Sequence, residues 1–362
     1  MAMNVNILDS YYLYGLFQGL KPAPTFFRDR YFPTEAGDIY AADKVLVEYQ
    51  DGDNQMAPFM VERADPITVA RPSYEIHDYE PVKLANSRPL RIDDLKKRGF
   101  GEAILTDATE AERAAKLIMD DLQALNRRFD RAEEYLCAQT IINNGFSVNE
   151  MIDANTIGNT ATVQYYDPLG TNDGVYTINA QWAANTSWSV ICGDVRTMCR
   201  GLANRGLPAQ DLLLGQAVAD VLLNNSDFKD LLDKNSGIVI ASPIVQELSE
   251  YVGVSLLGVV NFGGYRLNVI VVDEQYINAS NVATNYFPAK SICVTAPGAG
   301  HLMYAHITHI TDDGTYQTIT GKRVPDVFVD RRRKTRELIL ESRPLAAPKN
   351  YSPWVYASSV VA

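Results

Sequence analysis

Cysteine is scarce in this chain of 362 residues. There are four, at positions 137, 192, 199 and 293, and no pair has the C-x(2–4)-C spacing of a zinc site. A disulfide framework is therefore excluded, and the thiols read as reduced, small apolar packing residues. Long apolar runs are absent as well: no stretch reaches the roughly eighteen residues of a membrane span. The opening MAMNVNILDSYYLYGLFQGLK has neither the basic start nor the clean apolar centre of a signal peptide, so a soluble protein made in the cytoplasm is expected. Basic residues are the minority, 33 against 44 acidic, for a net charge of −11. Such a surface repels polyphosphate, which argues against specific nucleic-acid binding but not against enclosing nucleic acid.

The motifs of catalysis and cofactor binding are missing too. A phosphate loop needs G-x-x-x-x-G-K-[ST]; Gly314 to Gly321-Lys322-Arg323 has the wrong spacing and ends in arginine. Gly258, Gly263 and Gly264 do not make G-x-G-x-x-G, and no G-x-S-x-G elbow occurs. Three of the four histidines fall in GHLMYAHITHIT, at 301, 306 and 309. On a strand His306 and His309 face opposite sides, and His301 and His309 stand about 26 Å apart, so a metal site is not expected. The acidic pairs Asp120-Asp121 and Glu133-Glu134 lie among arginines and read as solvated or interfacial ion pairs. No catalytic, cofactor-binding or metal-binding residue is assigned, and no cofactor is expected.

What is present is length enough for two or three domains with a core. Residues 1–40 carry Tyr11, Tyr12, Phe26 and Phe27 between prolines 22, 24 and 33, and read as an extended arm that must bury its rings somewhere. KVLVEYQ and QMAPFMVER around Asp51-Gly52 predict a hairpin, and 65–99 a long extended excursion. Residues 147–188 suggest short strands and turns. Helix then alternates with strand from about 190 to 300, as in a compact α/β-type unit. The rest reads as strands. In RKTRELILESR, Arg333, Glu337 and Glu341 share a charged face while Leu338 and Leu340 face the other way. The run Arg331 to Arg336 is expected to form salt bridges within or between subunits.

The most informative segment is TEAERAAKLIMDDLQALNRRFDRAEEYL, residues 109–136, which has no glycine or proline. Thr109 and Glu112 make a capping-box pattern, and Gly145 offers a stop, so one helix is predicted over 109–143, roughly 50 Å long at about 1.5 Å per residue. Its apolar residues alternate by four and three, as in a coiled coil. However, only one of three flanking pairs, Arg128 with Glu133, has opposite charges, and Leu117, Met119, Tyr135, Ile141 and Ile142 widen the stripe. A helix lying across a sheet fits this better than a zipper.

The element order is arm, long loop, very long helix, α/β unit and returning charged strands. It resembles, over nearly the whole chain, the major capsid proteins of tailed bacteriophages with the Hong Kong ninety-seven fold, most closely the lambda-type major capsid protein family. The segments TFFRDRYFPTEAGDIYAADKVLVEYQ, DRAEEYLCAQTIINNG and VPDVFVDRRRKTRELILESRPLAAPKNYSPWVYASSVV carry the resemblance. It implies an α+β fold divided as follows: N-terminal arm 1–40; extended loop 41–90; peripheral domain 91–188 with a spine helix 109–143; axial domain 189–310; peripheral strands 311–343; and a C-terminal return, 344–362, to the axial domain. It also implies a non-enzymatic subunit of an icosahedral head shell around DNA, built as hexamers and pentamers. Its partners would be a separate scaffolding protein, a portal and a decoration protein, with no membrane; it would assemble in the host cytoplasm and reside in the virion. Expected inter-subunit contacts are Tyr11, Tyr12, Phe26, Phe27, Arg28, Arg30, Tyr49, Phe59, Arg331, Arg333, Glu337 and Glu341. Deleting residues 1–40 is expected to block assembly more than it unfolds the subunit. The alternatives are a soluble α/β enzyme acting on a small molecule, and an encapsulin-like protein compartment of the same fold.

Overall fold

The long helix sets the frame. In the computed structural model it spans Glu110–Asn143, 34 residues without interruption. The structure describes residues 25–50, 74–91, 110–153, 156–165, 174–233, 238–239, 251–278, 281–310, 314–330, 332 and 335–362. The apolar stripe does two jobs in succession. Ile118, Leu122, Leu125 and Phe129 pack against Leu338 and Leu340 of a three-stranded antiparallel sheet, ordered Val324–Asp330, Thr335–Ser342, Leu84–Arg91. Further on, Leu136, Cys137, Ala138 and Ile141 enter the main core. The stripe is covered by the protein's own strands, which leaves no seam for a dimerising zipper. The helix ends at Asn143, and it is Asn144, one residue before the glycine, that takes the left-handed conformation (φ 53°); its side-chain oxygen accepts from the buried Trp354 indole at 2.8 Å.

A six-stranded mixed sheet forms the second centre. Its order is Val355–Ala357, Ile292–Thr295, Asp211–Gly215, Tyr265–Val272, Val254–Phe262 and Ile238–Val239, with Asp211–Gly215 and Tyr265–Val272 parallel. Both faces are covered, so its central strands read as continuous apolar runs. Leu213, Ile270, Val272 and Cys293 face the main core. Leu212, Leu214, Val269, Val271, Ile292 and Val294 face the helix Trp188–Asn204. The C-terminal strand returns to the edge of this sheet.

One expectation is corrected. The arm segment is not extended throughout: Phe26–Tyr31 is a helix of six residues, fitted between Pro24 and Pro33, and Phe26, Phe27, Tyr31 and Phe32 are fully buried. Among the described residues Val45–Gln50 pairs with Tyr74–Tyr79. The second strand of the expected hairpin, residues 55–63, lies outside the described residues.

Candidate functional site

The short arm helix is where the parts of the molecule meet. A six-residue helix has little stability of its own, and Thr25 at its start makes no side-chain cap. The cap comes from far along the chain: the Phe27 and Arg28 N–H groups donate to the two oxygens of Glu134 on the long helix, at 2.6 and 2.9 Å. Arg28 donates to Asp130 at 2.7 Å and to Glu133 at 3.2 Å. Arg30 points the other way and forks onto Asp211, in the middle of the six-stranded sheet, at 2.7 and 3.1 Å. Asp211 also accepts from the Tyr31 hydroxyl and the Asn268 amide. The arm helix therefore bolts the long helix to the six-stranded sheet through bonds to charged groups, the strongest kind available.

Arg323 completes the junction from the sheet side. Its guanidinium is buried, lies 5.3 Å from the Phe129 ring centre, and donates to Asn126, Asp130, Ser342 and both oxygens of Glu133. Burial by itself would raise the Glu133 carboxyl, but the charge and hydrogen bonds of Arg323, with Arg28 and Tyr304, hold it below the ordinary carboxylate value. These groups fix backbone and side chains in position.

One carboxyl at the junction is held differently. Burial, then the charge of Glu274, push Glu134 up to about 8, against the pull of two backbone N–H groups and Arg28. Burial pushes Glu274 up to about 7. Its Oε2 is buried with no hydrogen-bond partner among the described residues. Glu274 follows the strand Tyr265–Val272, next to Tyr276, whose ring packs on Tyr135 of the long helix at 5.3 Å. Both values lie above the ordinary 4.5, so the folded protein binds more protons than the unfolded chain in this range. The pair's contribution to stability is full below about pH 4.5 and is lost as pH rises towards about 8. The unfolding temperature of the unassembled subunit is accordingly expected to fall between pH 6 and 9, and to fall less in Glu274→Gln. Parallel curves for the two proteins would refute this.

The expected contact residues divide into three groups. Tyr11, Tyr12, Phe59, Arg331 and Arg333 lie outside the described residues, as does the side chain of Tyr49, although its backbone pairs with Glu75. Phe26, Phe27, Arg28 and Arg30 are corrected: their rings and charges are engaged inside their own subunit, because the helix Phe26–Tyr31 packs onto the subunit's own core. Glu337 and Glu341 are half-buried on Thr335–Ser342, and Glu341 pairs with Lys83 at 2.7 Å. Glu133 and Glu134 are also corrected, being fully buried rather than solvated.

Sequence reading missed Asp130, Asp211 and Arg323 altogether. A signal existed for the helix: Asn126, Asp130, Glu133 and Cys137 repeat the four-three spacing one position on from Leu125, Phe129, Ala132 and Leu136, so their side chains lie beside the buried stripe. The histidines do not converge. His301 contacts Asp38 and His306 contacts Asp43, and no group of three or more His, Cys, Asp or Glu among the described residues is placed to hold a metal ion. The four cysteines are free, and burial raises their thiols, to about 11 at Cys192 and about 12 at Cys199.

A 34-residue helix laid across its own sheet, a separate two-faced sheet and an arm helix bolting one to the other make up the architecture. The chain belongs to the phage major capsid protein E family, whose model matches residues 9–359. The fold agrees. A prophage protein of Escherichia coli CFT073, assigned as a capsid protein, superposes with a TM-score of 0.65 at 14% identity, covering 98% of this chain and 99% of that one. A phage-related protein of Bordetella bronchiseptica RB50 gives 0.52 at 11% identity, with 99% of each chain covered. No curated protein sequence matches the chain. As a phage major capsid protein it builds the head shell from many copies and belongs to the virion.

Proposed function

We propose that the subunit assembles as hexamers and pentamers into an icosahedral shell, has no catalytic role, and encloses DNA without gripping its sequence. The observation that carries this reading is the long helix: its apolar face is covered by the subunit's own strands, so it is a rigid strut of about 50 Å rather than a pairing element. In this reading residues 1–40 are the arm, 41–90 the loop over a neighbouring subunit, 91–188 with 311–343 the peripheral domain, and 189–310 with 344–362 the axial domain. The net charge of −11 suits a wall that must not bind the genome it surrounds. Assembly takes place in the host cytoplasm on a separate scaffolding protein, around a portal, with decoration protein added outside.

Size-exclusion chromatography and negative-stain microscopy test this, on the protein expressed alone and with its scaffolding protein. Closed shells built on rings of five and six are expected. A monomer or small oligomer under both conditions would overturn the reading.

A further inference from the structure

We infer that the outer face of the long helix docks an acidic, apolar-striped helix of a partner protein, the scaffolding protein of the reading above; the inference rests on that reading. The stretch NRRFDRAEEYL, residues 126–136, carries three arginines and three acids and looks balanced in sequence. Folding separates the two signs. Asp130, Glu133 and Glu134 are buried, and Arg28, Arg323 and the arm-helix N–H groups hold them there. Arg127, Arg128 and Arg131 are left exposed, and among the described residues their guanidiniums have no salt-bridge or hydrogen-bond partner.

The subunit itself gains nothing from this cluster. Like charges three and four residues apart oppose helix formation, and these lie well inside the helix, away from the C-terminal turn where its dipole favours cations. In a chain of net charge −11 the strip is a local reversal of sign. Charge complementarity therefore calls for an acidic partner.

The residues beside the arginines narrow the partner's class. Leu117, Ala124, Arg128, Arg131 and Tyr135 follow one another at intervals of 7, 4, 3 and 4, so they share one side of the helix. Leu117, Ala124 and Tyr135 are half-buried there. Arginine and tyrosine set among apolar residues is the composition of a protein–protein contact. From 117 to 135 the stripe runs about 27 Å at about 1.5 Å per residue, which fits a partner helix of about five turns. A phosphate backbone has no apolar side to lay on it, and the exposed Asp120 repels phosphate. A second copy's long helix would bring its own arginines against these, like against like.

The test is isothermal titration calorimetry of the unassembled subunit with three probes. These are a helical peptide of about 20 residues with leucine on one side and glutamate on its flanks, the same peptide with lysine for glutamate, and a DNA duplex of about 20 base pairs. The acidic peptide is expected to bind, less tightly as salt is added, and at least tenfold more weakly to the double variant Arg128→Glu, Arg131→Glu. The milder Arg128→Gln, Arg131→Gln is expected to weaken it at least threefold; both positions are exposed, so both variants should unfold at the unaltered temperature. Shells assembled from the glutamate variant with the scaffolding protein are expected to hold at least tenfold less of it. Equal binding by the variants, equal binding of the lysine peptide, or undiminished scaffolding protein in the variant's shells would each overturn the inference. So would binding of the duplex, or self-association of the unaltered subunit, that the glutamate variant loses, since either makes another molecule the occupant. Failure of the unaltered protein to form shells is a different outcome: it removes the assembly reading, whereas the peptide titrations bear on the strip alone.

Discussion

A chain lacking residues 1–40 is expected not to fold. The deletion removes Phe26, Phe27, Tyr31 and Phe32, all fully buried. Truncating one buried phenylalanine costs about 3–5 kcal/mol, and the whole margin of a folded domain is about 5–15 kcal/mol. Four such losses together exceed that margin. The deletion also strips Asp211 of Arg30 and the Tyr31 hydroxyl, leaving it only the Asn268 amide among the partners named above, and strips Glu134 of the two N–H groups it caps. This reverses the expectation from sequence that the arm serves assembly more than folding. Far-ultraviolet circular dichroism and near-ultraviolet aromatic signals of the truncated chain decide the matter. A cooperative unfolding transition close to that of the full chain would show that the arm helix is dispensable. The single change Phe27→Ala gives a graded version, with an expected loss of about 3–5 kcal/mol.

The second large effect is expected at Arg323. Arg323→Met keeps the length and apolar contact of the side chain but removes from the buried Asp130 and Glu133 the guanidinium that pairs with both. Breaking a buried ion-pair network from one side costs about 3–5 kcal/mol, which lowers the unfolding temperature by on the order of 10 °C. The pH dependence identifies the cause. Glu133 is held below its ordinary value of 4.5, so the stability it contributes is present above pH 4.5 and is lost as pH falls through its lower, folded value. The gap between the unaltered protein and Arg323→Met should therefore be widest near neutrality and should narrow below about pH 4. A gap that stays constant with pH would mean that lost packing against Phe129, and not the unpaired acids, is responsible.

Two neighbouring acidic residues of one helix illustrate why sequence stops short of the site. Glu133 and Glu134 look alike in sequence and are both fully buried. One faces two arginines and is held down, while the other faces backbone N–H groups and a second carboxyl and is pushed up to about 8. Nothing within a few residues of either distinguishes them, because their partners at 27–28, 274 and 323 come from three distant places in the chain.

By itself the sequence determined the elements whose causes are local. The absence of glycine and proline with a widened apolar stripe gave the long helix, and unbroken apolar runs gave the strands of the two-faced sheet. Alternation in RELILES gave the face that packs on the helix. The quoted segments carried the family resemblance, now matched over residues 9–359. Only the tertiary structure decided where the helix Phe26–Tyr31 packs and which of many exposed-looking charges are buried. The reason is physical. A helix of six residues between prolines is unstable until a carboxylate 107 positions away caps it. A buried arginine is tolerable only where other elements, here the long helix and the strand Thr335–Ser342, supply acceptors, and such conditions exist only once the chain has folded.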